Sequence, residues 1–142
     1  MSTVMQQVPP ERFDAGLAAA FEERFFNALN EGAMLQLISL GHRTGLLNRL
    51  ADGAPFTSES LADDAGLEER YVREWLGGLT AAGVIEHDPT ASTYRLPREY
   101  GVQLSDRGEA NLAVFSQHLP LLATVEDDIV ECFRHGGGVS YE

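Results

Sequence analysis

The segment Thr57-Ser58-Glu59-Ser60-Leu61-Ala62-Asp63-Asp64-Ala65-Gly66-Leu67-Glu68-Glu69-Arg70-Tyr71-Val72-Arg73-Glu74-Trp75-Leu76 organises the whole chain. Thr57 is an N-cap residue, and Glu59 falls in the first turn where the helix dipole favours an acid. A short helix from Ser58 to about Ala65 follows, and Gly66 stops it. A longer helix then runs from about Glu68 to Ala82, with Val72, Trp75, Leu76 and Leu79 on its core face and Tyr71 beside them. Gly83 stands at the C′ position. Beyond it, Val84-Ile85-Glu86-His87 and Thr93-Tyr94-Arg95-Leu96 read as two strands. The five residues Asp88 to Ser92 carry turn chemistry between them, and Pro97 closes the hairpin.

Short helix, tight glycine turn, longer helix and hairpin are the ordered parts of a winged helix-turn-helix. Leu61, Ala62, Ala65, Leu67, Val72, Leu76 and Leu79 supply the shared core. Upstream, Phe13, Leu17, Phe21, Phe25 and Leu29 recur every four residues and predict a first helix. A second is predicted from about Ala33 to Leu50, weakened by Gly41 and Gly45. Downstream, one helical segment is expected over about Glu109 to His118. Another has Pro120 in its first turn, ends near Arg134, and carries Leu122, Val125, Ile129 and Phe133 on one face. The fold class is mainly α: a winged helix-turn-helix with a small β-hairpin wing and extra N- and C-terminal dimerisation helices. Residues 1–12 form a flexible lead, residues 13–134 the domain, with a winged core of about 33–100, and residues 135–142 a linker.

Composition sets limits on function. The 142 residues include 22 acidic and 10 basic side chains, a formal charge of -12. Such a balance opposes non-specific binding to nucleic acid or to an anionic membrane. The one cysteine, Cys132, excludes an intrachain disulfide. The N-terminus lacks the basic and apolar parts of a signal peptide, and no apolar run is long enough to span a bilayer, so a cytoplasmic protein is expected.

A winged helix invites a DNA reading, in which Arg70, Arg73 and Arg95, with Arg98, would form the contact patch. The second helix of the motif opposes this with Glu68, Glu69 and Glu74 against two arginines, and the wing turn carries one acid and no base. Base readout calls for Arg, Lys, Asn or Gln, and phosphate contact for several cations. A free-standing dimeric regulator therefore stands as the alternative, with a winged helix retained as a scaffold favoured.

Two further blocks widen the picture: Arg24-Phe25-Phe26-Asn27-Ala28-Leu29-Asn30, and Ile38-Ser39-Leu40-Gly41-His42-Arg43-Thr44-Gly45-Leu46-Leu47. Together with Thr57 to Ala62 and Glu69 to Leu76, they resemble the N-terminal winged-helix domain of bacterial class I S-adenosylmethionine-dependent methyltransferases. The resemblance extends over about Phe21 to Tyr141. It implies a homodimerising domain that covers the substrate pocket, with the methyl donor held in a separate Rossmann-like domain. The tail Phe133 to Tyr141 resembles the linker leading to that domain, with Ser140 where proline is expected. The 142 residues stop before it, so no catalytic or cofactor-binding residue is expected in this chain, which should be inactive alone. A catalytic domain and a small-molecule substrate are the further partners implied.

His42, Arg43, Tyr71, Trp75 and Tyr141 are the candidates for covering substrate. Helix packing is the competing role for His42, and the winged-helix core for Tyr71 and Trp75, beside Tyr94 and Tyr100. Phe21, Phe25, Leu29, Met34, Leu37 and Ile38 are the candidates for a dimer interface. His87, His118 and His135 are scattered without a second ligand at metal spacing, so no metal site is expected. Cys132 reads as a packed thiol. Glu126-Asp127-Asp128 reads as a solvated face, since adjacent helix residues point apart.

Overall fold

The computed structural model describes residues 13–140. The expected lead over residues 1–12 and the candidate Tyr141 lie outside them. Six α-helices, one 3₁₀ helix and a two-stranded sheet are present among the described residues.

The N-terminal half departs from expectation. In place of two helices, a single 30-residue helix, α1 (Ala15–Thr44), runs through Asn30, Glu31 and Gly32. A glycine in a helix interior costs about 1 kcal/mol relative to alanine, too little to stop a long helix. The chain breaks at Gly45, whose φ of 77° is left-handed and suits glycine, and then forms the one-turn α2 (Leu46–Leu50).

The motif itself matches its sequence reading. In α3 (Ser58–Ala65) the Thr57 hydroxyl accepts from the Ser60 N–H, and the Ser60 hydroxyl accepts from the Thr57 N–H. Each group satisfies an otherwise orphaned donor at the helix start. Gly66, at φ 66°, turns the chain into α4 (Glu69–Ala81), and Gly83, at φ 73°, turns it out again. The amides of Val84 and Ile85 both donate to the carbonyl of Leu79. Their donors are thus spent on the helix end, and the first strand starts two residues later than expected. β1 (Glu86–Asp88) pairs antiparallel with β2 (Thr93–Arg95), His87 opposite Tyr94. Phe56, expected in a loop, adds a third position to this sheet by exchanging two backbone hydrogen bonds with Tyr94.

Pro97 does more than close the hairpin: it is the N-cap of α5 (Arg98–Leu104), a helix the sequence reading did not include. The helix expected over Glu109 to His118 is a 3₁₀ helix (Leu112–Gln117) running straight into α6 (His118–His135). Polar bonds, most of them long-range, fix this region. Asn48 donates to the Asp106 carboxylate and accepts from its N–H, Asn111 donates to the same carboxylate, and Gln117 donates to the Ser39 hydroxyl.

The core forms where α1, α2, α3 and α4 meet the wing, from Ile38, Leu46, Leu47, Leu50, Leu61, Ala62, Val72, Trp75, Leu76, Leu79, Val84, Ile85 and Leu96. Ile38, grouped above with the dimer residues, belongs to this core at 5% exposure. Two glycines bring α1 against α4. The Trp75 indole lies on Gly41 and donates to the Leu37 carbonyl at 2.8 Å, while Leu37 fills the space that a side chain at Gly78 would need.

Candidate functional site

Three surfaces of this body bear on function: the helix-turn-helix face, a groove beside it, and the outer faces of α1 and α6.

The helix-turn-helix face is acidic and internally paired. Residues 57–88 hold eight acidic residues and two arginines. Arg70 pairs with Glu74 at 3.2 Å, Arg73 with Glu69 at 3.7 Å, and Arg95 with Glu86 across the hairpin. Three of the four arginines of that DNA patch, all but Arg98, therefore have carboxylate partners on their own helix or hairpin. On α3, the backbone and the Thr57 hydroxyl hold the Glu59 carboxyl below the usual carboxylate range.

A groove of about 360 Å³ lies between α1 and α4. Leu40 and Thr44 of α1, Leu46 of α2, and Leu67, Glu68, Tyr71, Val72 and Trp75 at the start of α4 line it. The structure thus brings two of the substrate-cover candidates, Tyr71 and Trp75, into one groove. They play unequal parts: Trp75 is 5% exposed and forms the floor, whereas Tyr71 is 69% exposed and stands at the rim. The core role offered for Tyr71 therefore fails, because its position on α4 faces outward. Tyr100 is also exposed, and Tyr94 is half-buried with its ring stacked on His87. His42 and Arg43 do not line the groove. His42 is half-buried within electrostatic reach of Asp106, and Arg43 is exposed. Sequence reasoning missed Leu40, Leu46 and Glu68. The spacing Glu68, Tyr71, Val72 and Trp75 marks one helix face, but nothing local says that Leu40 meets it.

The third surface is apolar and uncovered. Every residue from Phe13 to Glu31 is exposed, a helical arm about 25 Å long at 1.5 Å per residue. It presents Phe13, Leu17, Phe21, Phe25, Phe26 and Leu29, each more than half exposed. At its root Met34 and Leu37 are half-buried and pack on the core. No residue of α6 is fully buried, and Leu121, Leu122 and Phe133 are more than half exposed. Cys132 is half-buried and free.

Among the described residues no group of three or more potential metal ligands occurs, and no helix is long and apolar enough to cross a membrane. The geometry defines a winged helix-turn-helix domain extended by outer helices. The family described as "Rv2258c-like winged HTH domain" matches residues 32–106, and the chain belongs to it. No curated protein matches the chain. Solved methyltransferases share the fold. Mitomycin 7-O-methyltransferase MmcR superposes with a TM-score of 0.66 at 21% identity, over 88% of this chain and 37% of that one. A putative O-methyltransferase from Nostoc punctiforme gives 0.61 at 20% identity, over 82% and 36%. The S-adenosylmethionine-dependent methyltransferase SibL, in its apo form, gives 0.60 at 25% identity, over 82% and 36%. The chain thus spans little more than a third of these enzymes, and the part it matches is their N-terminal domain.

Proposed function

We propose that this domain pairs with a second copy of itself through the outer faces of α1 and α6, and covers the acceptor pocket of a methyltransferase. The exposed apolar arm carries the reading. Its six large side chains leave about 100–140 Å² of surface each, judged from exposures of 54–71%, or about 700 Å² together. A standard protein interface buries about 800 Å² on each partner, so α1 alone comes close and α6 adds to it. Leaving such an area in water is unfavourable, and monomers rarely expose a contiguous patch this large. Phe21, Phe25 and Leu29 lie on the arm, Met34 and Leu37 at its root.

The methyl donor is held elsewhere in this reading. Gly136-Gly137-Gly138 follows α6, not a strand, and so does not fit the strand, glycine loop and helix that cradle such a cofactor. The 142 residues alone should bind no S-adenosylmethionine; a saturable calorimetric signal at micromolar donor would contradict this.

Light scattering tests the pairing. The chain should be a dimer at micromolar concentration, and the double variant Phe21→Asp/Phe25→Asp a monomer. That variant should keep its helical circular dichroism, because the arm buries nothing on its own core. A folded wild-type monomer would refute the pairing.

A further inference from the structure

We propose that Arg24 of each copy forms an ion pair with the partner's Glu126, and that these two pairs fix how the arm of one chain lies on α6 of the other. The inference rests on the pairing reading and adds to it the contact that sets the register and selects the partner.

Residues three and four apart share one face of a helix. On α6, Leu119, Leu122, Ala123 and Ile129 line one shallow groove, and Glu126 lines it with them. The residues one turn to either side of Glu126 are Leu122, Ala123, Ile129 and Val130, all apolar. Glu126 thus stands in the middle of the apolar face, apart from Asp127 and Asp128, with which a solvated face was expected. It has no ion-pair partner among the described residues, whereas Glu131 on the same helix pairs with Arg134. The arm shows the opposite charge in a similar setting. Arg24 is its only basic residue, against Asp14, Glu22, Glu23 and Glu31. One turn to either side of Arg24 stand Ala20, Phe21, Asn27 and Ala28, so no acid lies at the spacing of a helix ion pair. Arg24 is also without an ion-pair partner among the described residues, and it is exposed in the single chain. Arm and α6 are both acidic in balance, so laying one on the other is repulsive unless their few unlike charges meet. Covering the apolar face of α6 takes water from Glu126, and a carboxylate left unpaired there is costly, whereas a paired one specifies alignment. Arg43 and Arg98 are exposed as well, but both lie outside the uncovered apolar arm. In a two-fold dimer the contact occurs twice.

Sedimentation equilibrium of the full chain measures the dimer dissociation constant. Arg24→Glu and Glu126→Arg should each weaken pairing by about tenfold, because each sets like charges face to face twice. The double variant Arg24→Glu/Glu126→Arg should return to within about threefold of wild type. Mixing the two single variants separates a contact between copies from one within a chain. A chain carrying Arg24→Glu meets a chain carrying Glu126→Arg with both unlike-charge contacts restored, so the mixture should pair about tenfold more tightly than either variant alone. Both side chains are exposed in the single chain, and circular dichroism checks the fold of each variant. Three results would each overturn the proposal: single variants that pair as tightly as wild type, a double variant without rescue, or rescue in the double variant but not in the mixture. If these results occur while Phe21→Asp/Phe25→Asp still yields a monomer, the pairing reading stands and the ion pair falls. A wild-type monomer removes both.

Discussion

Replacing Gly41 by alanine tests the packing on which every surface described above depends. A Cβ built at Gly41 would overlap Cζ2 of Trp75 and stand 3.1 Å from its Cε2 and 3.0 Å from Cγ of Leu47. Carbon contacts relax to about 3.5–4.0 Å, so α1 and α4 must part by about 1 Å or the indole must tilt. Overpacking of this kind costs about 1–3 kcal/mol. The Trp75 hydrogen bond to the Leu37 carbonyl loses its 2.8 Å geometry, about 1 kcal/mol more. The gain in helix propensity returns about 1 kcal/mol. The net expectation is a loss of about 1–3 kcal/mol. The control is Gly32→Ala on the same helix, where nothing lies within 4 Å of the added Cβ. Only the propensity term remains there, so this variant should be more stable by about 0.5–1 kcal/mol. Urea unfolding of wild type and both variants, at one protein concentration and followed by Trp75 emission, measures both. At about 4 °C per kcal/mol, the melting points should move by about 4–12 °C downward and 2–4 °C upward. A Gly41→Ala variant as stable as wild type, with unmoved Trp75 emission, would refute the crossing of α1 on α4 and with it the groove.

Three other outcomes follow from the same structure. Thr57→Ala should cost about 1 kcal/mol, because the Ser60 N–H at the start of α3 loses its hydroxyl acceptor while the Thr57 N–H keeps its bond to the Ser60 hydroxyl, and Thr57→Ser should restore most of it; thermal melts compare the three. Asp106 should titrate below the usual aspartate range, because Asn111 and Asn48 donate to its carboxylate. A depressed folded pKa stabilises the fold above the unfolded value, and that contribution is lost as pH falls through the folded one. Carboxyl carbon NMR should show this, with Asn111→Ala moving the titration upward; an unmoved titration would remove Asn111 as the cause. No sequence-selective DNA complex should form at physiological salt, since Arg70, Arg73 and Arg95 are paired with carboxylates. A gel shift that survives competitor DNA and weakens with Arg73→Ala and Arg95→Ala would restore the regulator reading.

What the sequence made legible is what local chemistry decides. Thr57, Gly66 and Gly83 each act within a few residues, and the helix-turn-helix stands where they place it. The C-terminal region was less legible because its determinants are remote. The bonds from Asn48 to Asp106 and from Gln117 to Ser39 span 58 and 78 residues. The apolar stripe of α1 is too wide for periodicity to separate Ile38, which is buried, from Leu40, which is 44% exposed. The groove was illegible for the same reason: Leu40 and Glu68 become neighbours of one space only because Gly41 lets the helices close on Trp75.

The two faces of α4 show how one fold separates architecture from recognition. Val72, Trp75, Leu76 and Leu79 are buried and hold the motif together. Their requirement is apolar volume, and any winged helix satisfies it in a similar way. The outward positions owe nothing to the core, so charge there is free to select partners. Here they carry Glu69, Arg70, Arg73 and Glu74 in two i,i+4 pairs, which cancel the field that a phosphate backbone needs. The open features lie elsewhere among the described residues: an aromatic arm that the rest of the described chain leaves uncovered, and an apolar groove between α1 and α4. A surface that is acidic and internally paired where DNA would sit, with an uncovered apolar arm elsewhere, favours the scaffold reading over the regulator.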